Sequence, residues 1–78
     1  MTALENVSQL CQELDHRQVH YHLLVARPSA LMLSVAVPGE RWELEFFDDG
    51  HVETERFLSA GVQVIDDAIS RLLSYFDE

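Results

Sequence analysis

The spacing of apolar residues changes twice along this chain, from a period of 3.6 to a period of 2 and back again. Near the start, the helical spacing places one set of residues on a single face, namely Leu4, Val7, Leu10, Cys11 and Leu14. Thr2 and Glu5 match a capping box, so we predict a first helix over residues 3–15. Near the end, Asp66 is a candidate N-cap for a second helix, whose inward residues are Ile69, Leu72, Leu73 and Phe76.

Between the helices, the period of 2 predicts four strands. They cover residues 19–26, 31–37, 42–47 and 51–57, and turn residues such as Pro28 and Pro38-Gly39 separate them. Residues 31–37 are apolar on both faces, which favours an interior strand, whereas residues 62–65 are ambiguous. We therefore expect one α+β domain over residues 1–78, in the order α-β-β-β-β-α, with a four-stranded antiparallel meander and both helices on one face.

The turn Asp48-Asp49-Gly50 decides which side chains of the last two strands share a face. A two-residue turn would place Glu53 and Glu55 under the helices, and burying unpaired carboxylates costs several kcal/mol. A type I turn followed by a left-handed Gly50 in a G1 bulge avoids this cost. The bulged register predicts a core face made of Trp42, Leu44, Phe46, Val52 and Thr54.

The same register predicts an acidic surface on the opposite face of the sheet. Glu45 faces Glu53 and Glu43 faces Glu55, so like charges meet across the strands and destabilise the pairing. Two aromatic rings project from this face as well. We predict that the partner-binding residues are Glu43, Glu45, Phe47, Glu53, Glu55 and Phe57. The alternative is a solvated face whose charges keep an exposed sheet from aggregating.

Charge limits the partners that this chain can bind. Its 78 residues include 14 Asp and Glu against five Arg, and the formal net charge is −9. Such a charge repels phosphates, so we expect neither nucleic-acid nor anionic-membrane binding. The longest apolar stretch is far shorter than the ~20 residues that cross a bilayer. Cys11 has no intrachain partner and the first residues do not resemble a signal peptide, so we expect a cytoplasmic protein.

Few residues point to catalysis or to a cofactor. His20 and His22 share a strand face and His51 lies at the hairpin tip, but their spacing matches no zinc signature, and we predict no metal and no cofactor. The hairpin glutamates could act as acid and base only in a concave, desolvated site, so we predict that the protein is not an enzyme. Cys11 is expected to be a buried apolar residue, and Trp42 a core anchor.

Residues 38–59, Pro38-Gly39-Glu40-Arg41-Trp42-Glu43 and the hairpin that follows, resemble a group of small, largely uncharacterised bacterial proteins. These proteins pair a PGERWE-like hairpin with a terminal helix. The resemblance implies a bacterial origin and an α+β fold, and some proteins of this general look are immunity proteins that neutralise a toxin encoded beside them.

Three functional hypotheses follow. The first is a non-enzymatic protein-binding module, an inhibitor or immunity protein whose acidic face covers a basic toxin or nuclease surface. The alternative is a secretion-chaperone-like or adaptor protein that acts as a homodimer through its helices or a sheet edge. A metal-dependent enzyme built on the histidines is the third.

Overall fold

A computed structural model describes residues 3–77, which form two helices and one five-stranded antiparallel sheet. The elements are α1 (Ala3–His16), β1 (Tyr21–Arg27), β2 (Ala30–Val37), β3 (Glu40–Phe47), β4 (Val52–Leu58), β5 (Gly61–Val64) and α2 (Ala68–Phe76). The strands lie side by side in chain order, so the predicted α+β meander is confirmed. No helix in this part of the chain is long and apolar enough to cross a membrane.

The prediction of four strands is wrong, because the ambiguous segment after β4 pairs as β5. The pairing joins Leu58 with Gly61 and Glu55 with Val64, across a loop of two residues. Four residues are too few to show a reliable period, so this strand is specified by its pairing with β4 and not by local pattern. β2 pairs with β1 on one side and β3 on the other, which confirms it as an interior strand.

Each helix differs from its prediction in one detail. In α1 the difference concerns which residues are buried, and in α2 it concerns the N-cap residue. The buried stripe of α1 contains Ala3, Val7, Leu10 and Leu14. Leu4 is 61% exposed, contrary to prediction, because it lies about 90° around the helix from the centre of that stripe. The predicted Asp66 cap is also wrong: Asp67 is the N-cap residue, in a left-handed conformation (φ 56°) and without a side-chain capping hydrogen bond. The predicted capping residue Thr2 lies outside the described residues.

The core lies between α1 and one face of the sheet, here called the helix face. α1 packs over β2 and β3, and the strand residues beneath it are fully buried, among them Leu33, Val35, Leu44 and Phe46. Trp42 is 4% exposed, which confirms it as a core residue. Among the residues predicted to face inward on α2, Leu72 is buried, while Ile69, Leu73 and Phe76 are partly buried against the core.

The ends of the two helices are joined by Arg17. Its Nε lies 2.6 Å from Asp77 Oδ1 and its Nη1 lies 2.7 Å from Glu13 Oε2. The hydrogen bonds from Arg17 hold the pKa of Asp77 below its usual value. This cation thereby connects the last turn of α1 to the residue that follows α2.

The β3–β4 turn has the predicted bulged register. Phe46 pairs with Val52, the Phe47 amide donates to the His51 carbonyl over 2.9 Å, and Gly50 has φ 91°. Asp49 supports the turn, because its Oδ1 accepts a hydrogen bond from the His51 amide at 2.8 Å. The alternation of faces along β3 and β4 therefore follows from a left-handed residue at position 50.

Substitution of Gly50 tests this conformational requirement. No atom lies within 4 Å of the position that a Cβ would occupy, so any cost comes from the positive φ and not from a clash. We expect Gly50→Ala to lower the free energy of unfolding by about 1–2 kcal/mol and Gly50→Asn to lower it less, since Asn tolerates left-handed backbone better. Urea unfolding of the two variants measures the difference. Equal losses would show that φ at this position does not limit stability.

Candidate functional site

The predicted acidic surface lies on the sheet face opposite α1, here called the outer face. The strand register places Glu45 opposite Glu53 and Glu43 opposite Glu55, as predicted. On β2, Met32 lies next to Glu45 in the register. The four glutamates therefore form one contiguous cluster across β3 and β4.

The prediction that all four glutamates are exposed is wrong for Glu45. Glu53 and Glu55 are exposed and Glu43 is partly buried, but Glu45 is only 8% exposed. Arg27 covers it: the Arg27 Nε lies 2.8 Å from Glu45 Oε2, and Nη2 donates to Oε1 over 3.4 Å. The ion pair compensates this carboxylate, so its burial does not leave an isolated charge.

Arg41 and His51 also lie against the cluster, and the Arg41 cation offsets part of the like-charge repulsion that the register predicts. Arg41 Nε lies 3.3 Å from Glu43 Oε2, and His51 Nε2 lies 3.4 Å from Glu53 Oε2. Each of these two side chains precedes its glutamate by two residues, so the period of the strand could have revealed both contacts. Arg27 could not be found in this way, because its position depends on an irregularity in the β1–β2 pairing after Val25.

The two predicted aromatic residues flank the cluster at opposite ends of the outer face. The Arg27 guanidinium lies 5.5 Å from the Phe47 ring centroid, and His51 stacks on the same ring at 5.1 Å. The Arg41 guanidinium lies 4.6 Å from the centroid of Phe57. Both rings are partly buried and support cations that pair with the glutamates. They are less available as bare apolar anchors than the sequence predicted.

A groove of about 430 Å³ runs along the cluster between β4 and the segment after β5. β5 pairs with the second half of β4. Just after β5, the Ile65 amide donates a hydrogen bond to the Thr54 carbonyl at 3.1 Å, and beyond this bond the chain no longer pairs with β4. We call this feature the acidic groove, and the residues that give it its character are Met32, Glu43, Glu45, Glu53, Glu55, Val64 and Asp66. Five carboxylates thus line one open concavity, together with apolar side chains that include Met32 and Val64.

A second cleft, of about 510 Å³, lies between α1 and α2. Its polar wall on α1 includes Asn6, Gln9 and Glu13, and its apolar lining includes Leu10 and Leu73. One carboxylate lines this cleft, and it is the one that pairs with Arg17. Although this cleft is larger, it lacks the charge density of the acidic groove, so we take the acidic groove as the candidate site.

The histidines considered as metal ligands are spread across the sheet. His22 pairs in register with Ser34, while His51 lies beyond the end of β3 beside Glu53. Within residues 3–77, no group of three or more His, Cys, Asp or Glu side chains is placed to hold a metal ion. Cys11 is partly buried and not fully buried as predicted, and burial raises the pKa of its thiol, which disfavours the reactive thiolate.

A polar cluster on the helix face was missed by the sequence analysis. Arg56 donates to Glu40 from Nε at 2.6 Å and from Nη2 at 2.9 Å, and the indole N–H of Trp42 also donates to Glu40. The Arg56 guanidinium lies 5.6 Å from the Trp42 ring. Trp42 and Arg56 are partners in the β3–β4 register, so the bulged turn already implied that Glu40 and Arg56 share the helix face. The hydrogen bonds from Arg56, and to a lesser extent that from Trp42, lower the pKa of Glu40.

This cluster predicts a stability effect with a defined pH dependence. Because the folded pKa of Glu40 lies below its unfolded value, its contribution is present above the ordinary glutamate pKa of about 4.3 and is lost as pH falls through the folded pKa. Glu40→Gln should lower the free energy of unfolding at pH 7 by about 1–3 kcal/mol. Thermal melting should show the difference from the wild type shrinking below about pH 4.

The control for this experiment is Glu55→Gln, which removes an exposed carboxylate from the outer face. It should not lower the melting temperature at pH 7. A Glu40→Gln variant as stable as the wild type at pH 7 would show that the Arg56 pair contributes nothing to folding.

Comparison with known proteins adds no relative: no protein-family model, no curated protein and no solved structure matches this chain. The resemblance to bacterial proteins with a PGERWE-like hairpin therefore stays a prediction.

Proposed function

We propose that this chain is a non-enzymatic protein-binding module whose outer face docks onto a basic protein surface, as an inhibitor or immunity protein would cover a toxin or nuclease. The observation that supports this proposal best is the acidic groove, in which five carboxylates line one concavity beside apolar side chains. Electrostatic complementarity of this kind steers encounter and sets partner choice.

The distribution of charge along the chain favours the half of the sheet that carries the acidic groove. Nine of the 14 acidic residues lie between positions 40 and 67, and two of the five arginines accompany them. The field of the protein is therefore strongest on the β3–β5 side of the sheet, where the acidic groove lies. A basic partner would be drawn toward this side before any contact forms.

The glutamates divide into two groups with different tasks. Arg27 and Arg41 pair with Glu45 and Glu43, so these carboxylates are held in place by the fold. Glu53 and Glu55 are exposed and can accept a Lys or Arg side chain from a partner. Met32 and Val64 line the same groove, and their apolar surface suits the methylene stem of a long basic side chain.

Binding explains this arrangement better than catalysis does. A carboxyl group that acts as a general acid or base near neutral pH commonly has its pKa raised by desolvation, with no cation beside it to cancel the effect. The one buried glutamate of the cluster, Glu45, has Arg27 against it, and Glu53 and Glu55 are open to water. The groove thus offers fixed negative charge, which favours recognition of a cation.

The proposal is tested by capturing partners from a lysate of the native host and measuring binding kinetics with the purified partner across a salt series. In Glu53→Gln/Glu55→Gln, we expect a lower on-rate and a weaker salt dependence, because two steering charges are removed. The free variant should be more stable by about 0.2–1 kcal/mol, since each substitution removes a like-charge cross-strand pair. Affinity and stability should therefore change in opposite directions.

The matched control is Asp15→Asn/Asp67→Asn, which removes two charges outside the acidic groove. Asn can still accept the hydrogen bond that Tyr21 donates to residue 15 and tolerates the left-handed backbone at residue 67. This control should bind with nearly wild-type kinetics. If both double variants weaken binding equally, net charge alone drives association. If neither does, the interface lies away from the outer face.

A further inference from the structure

We infer that the open edge of β1 pairs with β1 of a second copy, in antiparallel fashion, to form a ten-stranded sheet across a two-fold axis. This surface lies at the opposite edge of the sheet from the acidic groove, so the inference is independent of the proposed docking face. A continuous sheet is a common way to satisfy an unpaired strand edge.

β1 has the composition of a strand that pairs. It is the first strand in the sheet order, and its seven residues read Tyr-His-Leu-Leu-Val-Ala-Arg. Leu23 is 48% exposed, Leu24 51% and Val25 75%. Proteins usually protect such an edge with charges, Pro or a covering element, and the three central apolar residues of β1 carry none of these devices.

The backbone of β1 fixes which residues offer hydrogen bonds to the open edge. The Ala36 amide donates to the His20 carbonyl at 3.1 Å, so His20 points its backbone groups toward β2. Hydrogen-bonded residues alternate along an antiparallel strand. His22 and Leu24 therefore also bond β2, and Tyr21, Leu23 and Val25 point their N–H and C=O groups outward.

These three outward residues define one best register for a second copy. Pairing centred on Leu23 places Leu23 opposite Leu23 of the second copy and Tyr21 opposite its Val25, so every outward group finds a partner. A shift by two residues in either direction loses one of these pairs, because β1 begins at Tyr21 and its pairing becomes irregular after Val25. The strand is thus self-complementary.

Side-chain packing supports the same register. α1 lies over β2 and β3, and Leu23 and Val25 on the helix face of β1 stay exposed. In the paired sheet these side chains would pack against Leu23 and Tyr21 of the second copy. Burial of this apolar surface is the main favourable contribution.

The distribution of charge favours a second copy of this chain as the partner that pairs with the sheet, and it favours β1 over β5 as the edge at which the two copies meet. The chain carries a net charge of −9, so two copies repel wherever carboxylates meet. Residues 16–39 contain no Asp or Glu, and they include the whole of β1 and β2. The other edge strand, β5, has four residues, pairs Val64 with Glu55, and is followed by Asp66 and Asp67. β1 is therefore the edge at which like-charge repulsion between copies is weakest.

Mass measurement by sedimentation and light scattering across a concentration series tests the inference. The wild type should reach twice the 8.9 kDa of one chain. Leu23→Lys places two cations opposite each other and should weaken the dimer at least tenfold, while Val64→Lys on β5 is the matched control and should dimerise normally. Circular dichroism must show both variants folded. A wild type that stays monomeric, or a dimer that survives Leu23→Lys, overturns the inference.

Disulfide trapping tests the register without weakening the fold. A hydrogen-bonded antiparallel pair has Cα atoms about 5.5 Å apart, within the range of a disulfide. In a Cys11→Ser background, Leu23→Cys should form a covalent dimer under mild oxidation, faster than Val25→Cys or Val64→Cys. Trapping that is fastest at residue 64 would assign the interface to β5 and overturn the inference.

Discussion

The left-handed conformation of Gly50 determines what each face of this sheet can do. Gly50 allows a bulged turn, and the bulge places Trp42, Leu44 and Phe46 under the helices while Glu43 and Glu45 point away. A register shift of one residue would exchange the two faces of β4, so that Glu53 and Glu55 would be directed into the apolar core. The acidic groove, the Glu40–Arg56 pair and the packing of α1 all presuppose this single turn.

Sequence periodicity predicted the helices, the meander and the contents of both faces of the β3–β4 hairpin, because those features follow from local spacing and turn chemistry. It failed where the outcome depends on contacts between distant segments. β5 is a four-residue strand defined by pairing with β4, and Glu45 is buried because Arg27 reaches it from another strand. The Asp66 cap failed for a different reason: the chain enters α2 through a left-handed Asp67, a backbone choice that no spacing rule reveals.

Charge divides the sheet into two halves with different surface properties. The half built from β1 and β2 contains no carboxylate, whereas the half built from β3 to β5, residues 40–64, holds seven of the 14. The acidic half repels other copies of the chain, and it attracts cationic surfaces. A dimer joined at β1 would therefore present its two acidic grooves at opposite ends of one sheet, far enough apart to engage two partner molecules independently.

The contacts of Trp42 also give the molecule an intrinsic spectroscopic probe. It is the single tryptophan of the chain, it is 4% exposed, and its indole N–H donates to a carboxylate that Arg56 also binds. Its fluorescence therefore reports on the helix face near the start of β3. Since the indole lies on the opposite side of the sheet from the acidic groove, its emission should follow unfolding of the core and be nearly insensitive to a ligand that docks on the outer face. A change in Trp42 emission upon partner binding would thus signal a rearrangement transmitted through the sheet.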